Sequence, residues 1–167
     1  FSLAHPYGIK RIMSSYDYQD THQGPPADSE GNIISPGIDA TGNCTNGWIC
    51  EHRWHAISSM VDFMGIVDNE SISSWWDNGK NQIAFSRGSK AFVVFNLDNY
   101  DMKNVIIKTS MKEGLYCDII SGTKTSETSC SGELLEVKYD GSVSVYLSKD
   151  DPNGVLAIHV GQEIQLA

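Results

Sequence analysis

The chain has 167 residues, 40% hydrophobic and 20% charged, a balance that describes a globular protein and excludes a disordered or fibrous one. Twelve Lys and Arg against 21 Asp and Glu give a net charge of -9. With no basic cluster, nucleic acid is not expected as a partner. No apolar run approaches the roughly 20 residues of a membrane helix, so no membrane partner is expected either.

The first residues, Phe1 to His5, read as the tail of a helix stopped by Pro6, with Gly8 just beyond. There is no initiator Met, no basic start and no long apolar stretch, which points to a fragment or a processed chain. Gly8 to Tyr16 reads as a short strand with Ile9, Arg11 and Met13 on one side. Asp17 to Gly47 is rich in Gly, Pro, Asp, Asn and Ser, and Gly24-Pro25-Pro26 lies within it. Long irregular excursions of this kind are usually functional or tied by disulfides. From Cys50 to Met64 the period is helical, with Trp54, Ile57, Val61 and Met64 on one apolar stripe and Gly65 as its stop.

From about Asp77 the period becomes two. Candidate strands are Gln82–Ser86, Ala91–Asn96, Val105–Thr109, Leu115–Ile120, Leu134–Tyr139, Val143–Leu147 and Val155–Val160. Turn chemistry separates them: Asp77-Asn78-Gly79, Arg87-Gly88-Ser89, Glu113-Gly114, Ser121-Gly122, Asp140-Gly141 and Asp151-Pro152-Asn153-Gly154. Short strands without intervening helices predict an antiparallel sandwich or barrel. A lone strand, loop and helix cannot pair and cover itself, so the first zone reads as the last βα unit of an α/β domain. The expected organisation is therefore 1–76 as that unit and 77–167 as an all-β domain.

The four cysteines fall as two local pairs, Cys44/Cys50 and Cys117/Cys130, and neighbour pairing is the simplest of the three possibilities. Zinc would want tight C-x-x-C pairs or a Cys/His cluster, and neither is present. Two short-loop disulfides in an oxidising compartment are the expectation. Sequons at Asn43 and Asn69 fit secretion.

Other candidates favour structural roles. Trp75-Trp76 suits either sugar stacking or the packing of a domain junction, and the junction is favoured. His52 and His55 are not placed to share a metal. Asp17, Asp20 and His22 lie in the long loop and read as solvated, while Glu133, Glu136 and Asp140 decorate the polar face of a strand. No residue is assigned a catalytic or metal role.

Several blocks resemble animal alpha-amylases: His5-Pro6-Tyr7-Gly8, Arg11-Ile12-Met13-Ser14-Ser15-Tyr16, Cys50-Glu51-His52-Arg53-Trp54 and Trp76-Asp77-Asn78-Gly79. So do Asn81-Gln82-Ile83-Ala84-Phe85, Tyr116-Cys117-Asp118-Ile119-Ile120-Ser121-Gly122 and Ala157-Ile158-His159. The Gln23-Gly24-Pro25-Pro26 loop is most similar to the arthropod branch. The resemblance implies a (β/α)8 TIM barrel followed by a Greek-key β domain. Residues 1–76 would carry the end of the seventh barrel helix, strand eight, its loop and helix eight.

It also implies a secreted, extracellular, monomeric digestive enzyme that cleaves internal α-1,4 bonds of starch, glycogen and maltooligosaccharides with retention. The catalytic Asp, Glu and second Asp would lie upstream of Phe1, as would the ligands of its calcium cofactor, so the chain alone is predicted to be inactive. The family's second ion is chloride, and the resemblance assigns Arg11 to it. A buried guanidinium needs a partner, and a nearby anion would raise the pKa of the acid/base Glu. Without the resemblance, Arg11 reads as paired with a carboxylate or facing solvent. The alternative function is a secreted, non-catalytic carbohydrate-binding β domain.

Overall fold

The computed structural model describes residues 1–165. The chain divides into two compact units, one of Ile9–Ser58 and the other formed by Phe1–Gly8 with the chain from Ser59 onward.

In the larger unit the strands are β1 (Ile72–Asp77), β2 (Gln82–Arg87), β3 (Ala91–Asn96), β4 (Met102–Lys108), β5 (Gly114–Cys117) and β6 (Lys124–Ser126). They continue as β7 (Ser129–Cys130), β8 (Leu134–Val137), β9 (Ser142–Leu147), β10 (Val155–His159) and β11 (Glu163–Ile164). One sheet has the order β1-β2-β3-β10 and the other β11-β5-β8-β9-β4, while β6 and β7 form a separate hairpin. Every pairing is antiparallel. In the second sheet the meander β5-β8-β9 takes β4 beside β9, which is the Greek-key order. The expected all-β antiparallel domain is therefore present.

The strands form because alternate side chains share one core. Ala84, Phe92, Val94, Leu156 and Ile158 of the first sheet meet Ile107, Tyr116, Val137, Val143 and Val145 of the second in a single buried cluster. The first sheet is also covered on its other face, and β3 is buried at every position, as its unbroken apolar sequence requires. Phe85, Val93, Phe95 and Ala157 point away from the shared core and are buried. The Phe1 ring lies 6.0 Å from Phe85 and 5.7 Å from Phe95, and Trp75 stacks on Phe85.

The helix α1 spans His55–Ile66, and its buried side chains correct the expected stripe. Met60, Phe63 and, just beyond, Val67 are buried, whereas Trp54 is 53% and Val61 39% exposed. Both stripes are apolar at helical spacing, and contact with the sheet selects between them: Phe63 meets His159 of β10 edge-on at 6.4 Å. Gly65 does not end the helix. The chain leaves it through Asn69, whose φ is 63°, a conformation asparagine tolerates better than most residues.

A close backbone approach fixes the glycines beside the Cys117–Cys130 bridge. A Cβ on Gly132 would fall 2.7 Å from the Ser121 carbonyl carbon and similarly close to the backbone nitrogen of Gly122. Gly132→Ala is therefore expected to lower stability by about 2 kcal/mol through overpacking. In urea unfolding the midpoint should fall with an unchanged slope.

The unit Ile9–Ser58 holds no regular sheet, and the strand expected over Gly8–Tyr16 is not formed. Ile9 is 93% and Met13 79% exposed, and the segment's one ladder contact is the isolated bridge Tyr16–Trp48. A strand needs a paired neighbour along its length to complete its hydrogen bonds, and here the pairing sits at the segment's end, where the Ser15 carbonyl accepts the Ile49 N–H at 2.9 Å. The barrel remnant is thus not seen as such.

Side-chain caps fold the irregular segment instead. Asp28-Ser29-Glu30-Gly31-Asn32 and Asp39-Ala40-Thr41-Gly42-Asn43 are two turns of one design. In each, the Asp Oδ1 accepts the N–H groups two and four residues ahead at 2.9 Å, and the Gly takes a φ of 85° or 88°. The Asn32 N–H and side-chain amide hold the Asp28 carboxyl below its usual range, and the Thr41 hydroxyl, with the Asn43 N–H, does the same for Asp39. Bridges Ala27–Ile33 and Ile38–Cys44 close the two turns. Glu51 then ties the segment's ends: its carboxylate accepts the Ser15 N–H at 2.7 Å and the Ser15 hydroxyl.

Candidate functional site

Both expected disulfides are present, Cys44–Cys50 and Cys117–Cys130, with Cα separations of 5.9 and 5.6 Å. Arg11 is exposed. Its guanidinium offers positive charge to an anion, but the enclosed setting that would make a chloride cradle is not built by this chain's own residues. Asp20 accepts the His22 N–H at 2.7 Å as a local turn, and Asp17 donates its N–H to Gly47. His52 and His55 are exposed. No group of three or more His, Cys, Asp or Glu able to hold a metal occurs among the described residues.

The paired tryptophans separate. Trp76 packs against the shared core. Trp75 is 51% exposed, lies 5.6 Å from Phe85 at an interplanar angle of 10°, and donates its indole N–H to Asp77 at 2.9 Å. Asp140 is engaged by the Lys108 ammonium and the Ser142 hydroxyl, both at 2.6 Å, which hold its carboxyl well below the usual range. Glu133 and Glu136 are exposed.

The strongest polar chemistry lies at residues that the sequence reading passed over. Arg87 is 4% exposed, and its guanidinium hydrogen-bonds to main-chain carbonyls. Its Nη1 donates to the Ala4 carbonyl at 2.6 Å, Nη2 to those of Val67 and Glu70 at 3.2 and 2.8 Å, and Nε to Glu70 again at 3.0 Å. Burial pulls its pKa down, and the charges of Glu70 and Asp68 oppose that. One side chain thus ties the first residues and the exit of α1 to the end of β2. The signal was available, because Ile83, Phe85 and Arg87 alternate along one strand face and Arg87 breaks its apolar character.

Asp118 is 3% exposed. Its Oδ1 accepts N–H groups of Ile120 and Ala157 at 3.2 and 2.8 Å, and its Oδ2 accepts the N–H and hydroxyl of Ser121 at 2.9 and 2.6 Å. The contact with Ala157 stitches the end of β5 to β10 and so joins the two sheets. His159 is 4% exposed, accepts the Gly161 N–H at 3.0 Å through Nδ1, and has its pKa lowered to about 4 by burial, with Asp62 opposing. These three residues bind protein groups rather than a ligand, so the site they build is structural.

The comparisons with known proteins agree with that picture. Residues 74–161 match the family described as "Alpha amylase, C-terminal all-beta domain". An alpha-amylase-related protein of Drosophila pseudoobscura is 50% identical over 98% of this chain and 33% of its own length. An alpha-amylase of Tenebrio molitor is 48% identical over 98% of this chain and 34% of its own length. Among solved structures, a variant of alpha-amylase I from Eisenia fetida in complex with maltohexaose superposes with a TM-score of 0.80 at 33% identity, covering 95% of this chain and 34% of that one. The chain therefore spans about a third of the length of the relatives it matches. With a sandwich of the right order and a family match over more than half its length, this chain belongs to the alpha-amylase C-terminal all-beta domain family.

Proposed function

We propose that this chain is the C-terminal part of a secreted, extracellular, digestive alpha-amylase, with residues 1–76 closing a catalytic (β/α)8 barrel and 77–167 forming its β domain. The observation that carries the reading is 48% identity to an alpha-amylase along 98% of this chain and only 34% of that enzyme. The whole, monomeric protein would hydrolyse internal α-1,4 bonds of starch, glycogen and maltooligosaccharides with retention, its carboxylates and calcium ligands lying outside these residues. Residues 8–16 would gain their ladder partners from the neighbouring strands of a complete barrel. The test is hydrolysis of soluble starch by the full-length protein, with this chain alone as the inactive control. A purified, folded full-length protein that leaves starch intact overturns the reading.

Arg11 would contribute the cationic ligand of a chloride site in that assembly. Chloride there would keep the acid/base Glu protonated near neutral pH. Arg11→Gln in the full-length enzyme is expected to abolish chloride activation and to move the pH optimum toward acid by about one unit. An unchanged chloride response refutes that role.

A second reading, a carbohydrate-binding β domain without catalysis, is favoured by one observation, the half-exposed Trp75 stacked on Phe85. It predicts that this chain binds maltoheptaose and that Trp75→Ala abolishes the binding.

A further inference from the structure

Two sequons occur in the chain, and the structure treats them differently. Asn43-Cys44-Thr45 is built into a closed turn. The Asn43 amide donates to the Thr41 hydroxyl at 2.8 Å, its backbone N–H to Asp39 at 2.9 Å, and its carbonyl accepts from Asp39 at 2.9 Å. Cys44 is in a disulfide, and the Thr45 hydroxyl is packed against Gly37.

Asn69-Glu70-Ser71 stands at the turn that leaves α1. Asn69 and Ser71 are both exposed. The Asn69 backbone has a φ of 63°, which turns the chain at this point. Its side-chain amide donates locally, to the adjacent Asp68 carboxylate at 3.0 Å. The polypeptide on either side is firmly held, with the Glu70 carbonyl on Arg87 and the Ser71 carbonyl accepting from Gly88 at 2.8 Å. Asn69 therefore projects from a fixed turn into solvent, where a large polar adduct displaces no packed side chain.

We propose that Asn69 is an N-glycosylation site, the acceptor of an oligosaccharide carried on a polyprenyl pyrophosphate. In the transfer, the Asn69 side-chain nitrogen forms a bond to the sugar C1, the bond from C1 to the phosphate oxygen breaks, the polyprenyl pyrophosphate leaves, and the amide loses one proton. No electrons are exchanged. The site rests on the reading that the protein is secreted, since the transferase and the glycan donor lie in the secretory pathway.

The experiment separates those two claims. The chain is expressed in a eukaryotic host behind a heterologous signal peptide, so that entry to the pathway does not depend on its own leader. Medium and cell lysate are treated with a peptide-N-glycanase and analysed by mass spectrometry. The expected result is a glycanase-sensitive mass shift with Asn69 converted to Asp. Asn69→Gln and Ser71→Ala should each abolish the shift at this position, and Asn43→Gln should leave it. Chain that has entered the pathway, with its disulfides formed, yet carries no glycan on Asn69 overturns the proposal. A shift removed by Asn43→Gln and kept in Asn69→Gln overturns it equally. The secretion reading is tested separately, by the location of the untagged full-length protein in its own cells. Its failure leaves the result with the heterologous leader standing.

Discussion

Replacing Arg87 with methionine is expected to lower the stability of the β domain by about 3 kcal/mol, because the carbonyls of Ala4 and Glu70 lose their guanidinium donor at once. The guanidinium serves Ala4, Val67 and Glu70 together at the exit of α1, where the Val67 carbonyl also accepts the Glu70 N–H at 3.0 Å and so keeps one donor. A positive charge there also complements the negative end of the helix dipole. Methionine fills much of the same volume, so the loss measures hydrogen bonding rather than a cavity. Arg87→Lys is expected to recover only about half of it, since a single ammonium cannot span three acceptors on two segments. Urea unfolding of both variants beside the parent is the measurement. A methionine variant within 1 kcal/mol of the parent would show that water satisfies these carbonyls and that the tie is dispensable.

The second large effect is a loss of stability in acid centred on His159. Its folded pKa is lowered to about 4 by burial, against about 6.5 in an unfolded chain. Between those values the unfolded chain binds a proton that the folded chain excludes, so stability rises with pH across this window and falls as the solution is acidified. The loss on going from pH 7 to pH 4 is about 3 kcal/mol from this residue. His159→Asn keeps an acceptor for the Gly161 N–H and removes the titration. The variant should be less stable than the parent at pH 7, through lost packing against Phe63, while its stability between pH 7 and pH 4 changes by about 3 kcal/mol less. Parallel pH curves for the two proteins would refute the assignment.

The β domain was largely legible because its strands obey period two and are bounded by Gly and Asn turns. Ala91–Asn96 was expected and is observed. Val143–Leu147 and Gln82–Ser86 each gained one residue. The misses have local causes. β4 starts three residues early, at Met102, because a bulge between Met102 and Val105 carries Asn104 at a φ of 53° and breaks the alternation. β1 escaped notice for a similar reason: Ser74 has a φ of 49° and the register slips between Ser73 and Trp76, so the alternation of Trp75 and Trp76 does not run on through the whole strand. The strand expected from Leu115 to Ile120 stops at Cys117, because Asp118 turns the chain by gathering the N–H groups of Ile120 and Ser121.

The first zone was harder to read. Ile9, Arg11 and Met13 alternate, but alternation reports a strand only where a neighbouring strand supplies hydrogen bonds. Trp54, Ile57, Val61 and Met64 form as good a helical stripe as Met60, Phe63 and Val67. Only the position of β10, fixed by residues a hundred positions away, decides between them. Arg87, Asp118 and His159 were invisible as a group because their partners are mostly backbone atoms, which leave no mark in the sequence.

The twin Asp-x-x-Gly-Asn turns have a consequence for how the oxidised protein is reached. The second turn ends directly on Cys44 and holds it before its partner, six positions away, while the other bridge spans 13. Closing a ring grows steadily more demanding with the logarithm of its length. Both native rings are far smaller than any cross-pairing of these four thiols would make. Small hairpins form in about 1–10 μs, whereas thiol oxidation takes seconds or longer. Cys44 is thus presented to Cys50 long before an oxidant arrives, so correct pairing can be reached by local geometry with little need for reshuffling.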